Sequence, residues 1–409
     1  MSQAHHAPPT AVESFDRTGI LVLVVLCLAM FTSGMNAMGL QPFLVSVGED
    51  LGVSVPSVGQ AVTVTLLMSA VSGLIAGPIA DHYGHRRLMV LGAAVLAVSA
   101  IGSALSPTYF IFMGFRLFGG LSLALLTGLA LAIAGSYFAG EARRRALSVT
   151  VSAMSGTAIL GVPLLSWIGD AFSWRWAFGT IGAIAIVLIP ILATLIPSTL
   201  APTRRFRLSQ LISSYRPLLA QRAMIALYIG SFLRAIFWLG ILTYFGAFLI
   251  EEHGLTLQQV GITYMFGGLG FLIGSLAAGG RVGQFNHRTL FTIVTVVGAL
   301  FFGLAYTAPV GPIGAVLLLT IGGFFGAMGW VVLNTMMANE SDAGAGTTMS
   351  LNTAIFNLGS AAGGAAGGAI LAVGGYSAIG LTLPVLALIA SVVVMLSGRF
   401  RPMATTTKS

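Results

Sequence analysis

Long apolar blocks without charge dominate the chain. No Asp, Glu, Lys or Arg occurs from Thr18 to Val47, from Leu51 to Ala80, from Leu88 to Phe115 or from Leu117 to Gly140. Each block exceeds the ~20 residues that carry a helix across a bilayer. Following such blocks along the chain predicts about twelve spans by that length rule. They fall near 19–46, 56–79, 88–106, 108–137, 145–169, 175–196, 222–250, 257–280, 289–307, 311–337, 345–372 and 376–398. The expected class is an all-α membrane protein. The first block is too long for a signal-peptide core and reads as a retained helix.

The longest polar interruption runs from Pro197 to Arg222 and separates six spans from six. Six-helix halves of this kind recur in secondary transporters. The chain therefore divides into a tail over 1–18, a six-helix bundle over 19–196, a linker over 197–221, a second bundle over 222–398 and a tail over 399–409. The two bundles are expected to be pseudo-symmetric.

Composition sharpens this picture. Hydrophobic residues make up 56% and charged residues 7%, against roughly 25% charged in soluble domains. The net charge of +8 does not point to nucleic acid, because of where the arginines lie. Arg17, Arg86–Arg87, Arg143–Arg145, the arginines from Arg204 to Arg222, Arg281 and Arg288 occupy the tails or alternate loops. Glu49–Asp50, Asp170 and Glu251–Glu252 occupy the intervening loops. That alternation is the positive-inside pattern and puts both termini in the cytoplasm. Cys27, the only cysteine, excludes an intramolecular disulfide.

Two charges fall well inside spans, Arg116 in the fourth and Arg234 in the seventh. An arginine at membrane depth costs at least ~2.5–3.5 kcal/mol on insertion scales, so each is a candidate functional residue. The eleven carboxylates all map to tails, loops or span ends, and no histidine lies mid-span. A cation would be repelled by two arginines with no acid beside them. The expected solute is therefore neutral or anionic. Proton coupling through a titrating side chain has Asp81 and Asp170 as its nearest candidates, then Glu340 and Asp342. Coupling through the solute's own protonation, or no coupling, stays open.

The most specific local motif is Gly77-Pro-Ile-Ala-Asp81-His-Tyr-Gly84-His-Arg86-Arg87, between spans two and three. Gly84 allows a tight turn, and Asp81 can accept from arginines or a helix N-terminus. The motif resembles the signature loop of the major facilitator superfamily. Pro42 with Asp50-Leu-Gly-Val-Ser54, Arg116-Leu-Phe-Gly-Gly120, Phe172-Ser-Trp-Arg-Trp-Ala-Phe178 and the glycine-rich run from Gly344 to Gly368 resemble other parts of the same family. The run looks like the eleventh helix of its bacterial drug-efflux-like members. The second copy of the signature loop, Gly279 to Arg288, is degenerate and has no carboxylate.

The resemblance implies alternating access around a central cavity. Gly77, Asp81, Gly84, Arg86 and Arg87 would form a conformational latch, with Asp81 reaching the start of helix eleven near Gly346. Gly156, Gly161 and Pro163 partly match the family's antiporter motif, with altered spacing, and equally describe a proline kink. Spans one, four, seven and ten would line the cavity. Their polar and aromatic residues are Asn36, Gln41, Arg116, Tyr228, Arg234, Trp238, Tyr244, Trp330 and Asn334.

The expected function is proton-coupled efflux of a small neutral or anionic organic compound. The alternative is uptake or facilitated exchange of an organic anion or sugar. An enzyme is not expected, because no span holds a nucleophile with a base, paired aspartates or a metal-binding histidine set. A phosphate-loop pump would need a lysine, and Lys408 in the tail is the only one. The expected partners are the lipid bilayer, a small-molecule solute and protons, with no cofactor, metal or nucleic acid. A monomer in a bacterial inner membrane is expected.

Overall fold

The computed structural model describes residues 15–197, 215–281, 285–341 and 345–398. In chain order they form α1 (Arg17–Met38), a 3-10 turn (Gln41–Phe43), α2 (Leu44–Leu51), α3 (Val55–Tyr83), α4 (His85–Ala104) and α5 (Tyr109–Tyr137). Then come α6 (Gly140–Gly156), a π-helical turn (Thr157–Gly161), α7 (Val162–Ala171), α8 (Trp174–Leu195), α9 (Arg222–His253) and α10 (Leu257–Arg281). The last are α11 (His287–Thr307), α12 (Pro312–Glu340) and α13 (Ala345–Ser397). There is no β-strand among the described residues.

Local chemistry sets the ends. Asp16 caps α1 by accepting from the Gly19 amide at 2.7 Å, and Ser54 and Asn286 cap α3 and α11 in the same way. Among the described residues, eleven helical stretches are long and apolar enough to cross a membrane. The last holds two crossings. Its 53 residues would extend ~80 Å as one helix, far more than a bilayer. Gly375, at φ 70°, folds it back, which glycine does without a Cβ clash. The result is twelve crossings in two bundles, α1–α8 and α9–α13. Residues 15 and 398 lie at one face, called here the termini face. The 39–54, 254–256 and 374–376 connections lie at the far face.

Two span expectations are corrected. The first span, which runs over Arg17–Leu51, is not one continuous α-helix, because α1 stops at Met38 and Pro42 sits in the 3-10 turn before α2. Proline has no N–H to continue the ladder. The fifth span begins at Gly140, not 145. Arg143–Arg145 are therefore helical, and Arg144 and Arg145 reach Glu141 at 2.7 and 3.1 Å.

Between apolar helices in lipid, close packing replaces hydrophobic drive, and small residues permit it. Gly102 receives Phe115, Gly169 receives Phe43 and Gly182 receives Ile101. Phe112, Trp174 and Phe178 pack edge to face in the first bundle. The outward residues are apolar too: Phe110 is 83% exposed and Ile313 77%. A surface of that kind belongs in hydrocarbon.

Candidate functional site

Each of the two mid-span arginines reaches another crossing of its own bundle. Arg116, on the fourth crossing, reaches the first crossing. Its Nη1 donates to Asn36 Oδ1 at 2.9 Å and its Nη2 to the Asn36 carbonyl at 2.8 Å. The Phe178 ring lies 5.5 Å from the guanidinium carbon, and both Arg116 and Asn36 are fully buried. Asn36 Nδ2 donates to the Gly119 carbonyl at 3.5 Å. Gly119 has no room for a methyl, since its Cβ would meet Asn36 Nδ2 and Ser99 Oγ at 2.9 Å. This arginine ties α5 to α1 and rests against α8 through Phe178.

Arg234, on the seventh crossing, reaches the tenth. It donates to the Gly326 carbonyl and lies 5.5 Å from the Trp238 ring and 5.7 Å from the Trp330 ring. A polar chain runs beside it. Ser231 Oγ donates to Asn352 Oδ1 at 2.7 Å, Asn352 Nδ2 to Asn334 Oδ1 at 3.0 Å, and Asn334 Nδ2 to the Trp330 carbonyl at 2.8 Å. Trp330 also meets Phe356 edge on, with centroids 4.6 Å apart. Tyr228, two turns toward the termini face, donates to the Thr348 carbonyl at 3.3 Å.

Tyr244 and Gln41 are elsewhere, in the seam between the bundles. Tyr244 is fully buried and its hydroxyl donates to the Gly364 carbonyl at 2.8 Å. The ring lies in a glycine slot. A Cβ on Gly59 of α3 would strike the ring's Cζ at 2.5 Å, one on Gly367 its Cε2 at 2.8 Å and one on Gly368 its hydroxyl at 2.6 Å. Gly364 faces Thr63 Oγ1 at 2.8 Å from its own Cβ position. Gly246 of α9 abuts the Gln41 carbonyl, and Gly261 of α10 abuts Ser166 of α7.

The π-helical turn contributes to this seam. Pro163 cannot donate to the preceding turn, and the wide turn over Thr157–Gly161 presents Ala158 and Ile159 to Gly268 of α10. Thr157 Oγ1 ties the same turn to the Phe31 carbonyl at 3.2 Å. The other seam contacts lie in the far-face halves of their helices, and Asn357 Nδ2 reaches Ser69 Oγ at 3.4 Å near mid-helix. Toward the termini face, Gly73 of α3 and Gly128 and Gly135 of α5 have open space where a Cβ would point.

The residues expected to form a latch belong to the α3–α4 connection at the termini face. Gly84 links α3 to α4 at φ 93°, and Arg86 and Arg87 open α4. The side chain of Asp81, and residues 342–344 before α13, lie outside the described residues. At the same face Arg288 pairs with Glu340 at 2.7 Å and donates to Ser397 Oγ at 3.1 Å. At the far face Arg175 donates to Asp50 at 2.7 Å and to the Ala104 and Ser106 carbonyls at 2.8 Å. Trp174 Nε1 joins the same carboxylate at 3.1 Å. Asp50 and the Ser173-Trp-Arg segment thus clasp three crossings. Among the described residues no group of histidine, cysteine and carboxylate could hold a metal ion.

Ser231, Asn352, Thr295 and Phe356 escaped the sequence reading. Asn352 was detectable as an amide well inside an otherwise apolar span. The others carry no signal until the fold joins α9, α11, α12 and α13.

The family profile described as Major Facilitator Superfamily matches residues 26–344. The chain belongs to that superfamily. The "Inner membrane transport protein YdhP" of Escherichia coli K12 is 24% identical over 94% of the chain and 96% of its own length. The "Uncharacterized MFS-type transporter YceJ" of Bacillus subtilis 168 is 25% identical over 68% of the chain and 71% of its own length. Among solved structures, a D-xylose–proton symporter superposes with TM-score 0.73 at 18% identity, covering 94% of this chain and 98% of the other. The nucleoside transporter NupG superposes with TM-score 0.76 at 15% identity, covering 92% and 99%. At these identities the structures establish a shared fold. The protein is a non-enzymatic, multi-pass membrane transporter of this superfamily.

Proposed function

We propose that this superfamily member exports a small neutral or anionic organic compound by alternating access, driven by the proton gradient. The observation that carries the reading is the one-sided seam. The described contacts between the bundles through Tyr244, Gly59, Gly364, Gly261 and Ser166 lie in the far-face halves of their helices. A transporter caught with one gate shut has this asymmetry. In this reading 19–196 and 222–398 are the moving halves, joined by the 197–221 linker. The termini face is cytoplasmic by its arginines, and the membrane is the bacterial inner membrane.

The remaining roles follow from position. Gly77, Asp81, Gly84, Arg86 and Arg87 latch the termini face when the far face opens. Gly156, Gly161 and Pro163 shape the turn that slides along α10. Solute charge follows from a span interior that holds arginine and no acid.

Growth of a pump-deficient bacterium expressing the chain, challenged with neutral, anionic and cationic toxic compounds, tests the reading. Protection against neutral or anionic compounds, lost in Asp81→Asn, is expected. Protection confined to quaternary ammonium compounds would sink the charge argument, and accumulation of the compound inside the cell would reverse the direction.

A further inference from the structure

The two buried arginines do not do the same work, and their partners separate them. Arg116 is fully enclosed, with both terminal nitrogens donating to Asn36 and its buried Nε without a hydrogen-bond partner. Arg234 is also buried, at 3% exposure, but its described partners are one carbonyl, Gly326, and two indole rings. A guanidinium offers five N–H donors. Among the described residues no carboxylate stands within ion-pair range of it. Thr295 Oγ1, buried and without a hydrogen-bond partner, lies beside Gly329, and so does Arg234 Nε, each within 4 Å of the Gly329 Cβ position.

The walls are what an aromatic acid needs. Trp238 and Trp330 are half-buried, and Phe356 stands against Trp330. The chain Ser231–Asn352–Asn334 fixes the Trp330 backbone. A planar fork of donors matches a carboxylate with two parallel hydrogen bonds, and indole faces accept a flat apolar body.

We propose that Arg234, flanked by Trp238 and Trp330, is the anion-recognition point of the transporter, and that its solute is an aromatic or similarly flat organic monocarboxylate. This rests on the reading that the space between the bundles carries a solute, and is independent of direction and coupling. Arg116 is then a positioning residue that holds the first bundle.

The test uses the purified full chain and isothermal titration calorimetry with naphthoate, its uncharged amide and naphthylmethylammonium. The carboxylate should bind at least ~10-fold more tightly than the amide, a ratio worth about 1.4 kcal/mol, and the ammonium should not bind. Arg234→Gln should bring the carboxylate down to the amide's affinity while leaving the amide's affinity unchanged, a pattern that misfolding cannot produce. Arg234→Lys should keep part of the preference, and Arg116→Gln should keep the whole ratio. Equal affinity for acid and amide in the wild type, no binding of naphthoate at millimolar concentration, or a preference that survives Arg234→Gln would overturn the proposal. Export of neutral drugs can succeed while this test fails, and fail while it succeeds, so the two readings fall separately.

Discussion

Gly59→Ala should open the far face. In this conformation a methyl at residue 59 is driven against the Tyr244 ring, at 2.5 Å from Cζ. The ring cannot back away, because Gly367 and Gly368 hold its other side and its hydroxyl is bonded to the Gly364 carbonyl at 2.8 Å. Overpacking of a filled site costs ~1–3 kcal/mol. The helix-propensity gain of alanine over glycine, ~0.8–1.0 kcal/mol, applies in both conformations and cancels. The far-face-closed state should therefore lose ~5–150-fold in population relative to the alternative. A Cys27→Ser background carrying Ser166→Cys, at the buried seam opposite Gly261, reports this through labelling by an impermeant thiol reagent. Gly59→Ala should label faster by a factor in that range. Gly73→Ala, on the same helix but facing open space, should not label faster. Unchanged labelling in Gly59→Ala, or equal acceleration by Gly73→Ala, would refute the assignment of the slot as the closed gate.

Further outcomes follow from the same contacts. Tyr244→Phe keeps the ring and loses one hydrogen bond, so it should shift the same labelling rate only about 3-fold, in line with ~0.6 kcal/mol for a membrane hydrogen bond. Arg288→Ala breaks the largely buried Arg288–Glu340 ion pair and should cost up to ~3–5 kcal/mol of stability, with Arg288→Met/Glu340→Leu recovering most of it in a detergent melt. Asn36→Ala removes the side-chain half of the Arg116 contact and should lower stability by ~1.5–3 kcal/mol, read as folded yield in size-exclusion profiles. Arg175→Lys loses the fork that spans Asp50 and two carbonyls and should melt nearly as early as Arg175→Ala.

Much of the architecture was legible because lipid imposes it. Charge-free blocks gave the crossings, and the break before the twelfth fell where Gly374-Gly375 interrupts the pattern. The stop at Met38 was less legible, since the residues from Gly39 to Val47 are as apolar as those before them. The early start of α6 was hidden for the opposite reason. Glu141 with Arg144 and Arg145 looks like a loop, yet those spacings place the charges on one helical face.

The site was legible residue by residue but not as a set. Asn36 and Arg116 were both evident as polar residues at depth, yet they stand 80 positions apart and only the fold makes them partners. Tyr244 read as a cavity residue because its helix is the seventh. Its slot comes from Gly59, Gly364, Gly367 and Gly368 on two other crossings, and glycine at helical spacing signals close approach without naming what approaches.

Everted membrane vesicles from cells expressing the chain test the central claim most directly. With an imposed gradient, acidic inside, a neutral or anionic solute of the protein should accumulate in the vesicles, and an uncoupler should release it. Accumulation that ignores the gradient, or that appears only in right-side-out vesicles, would contradict proton-driven export.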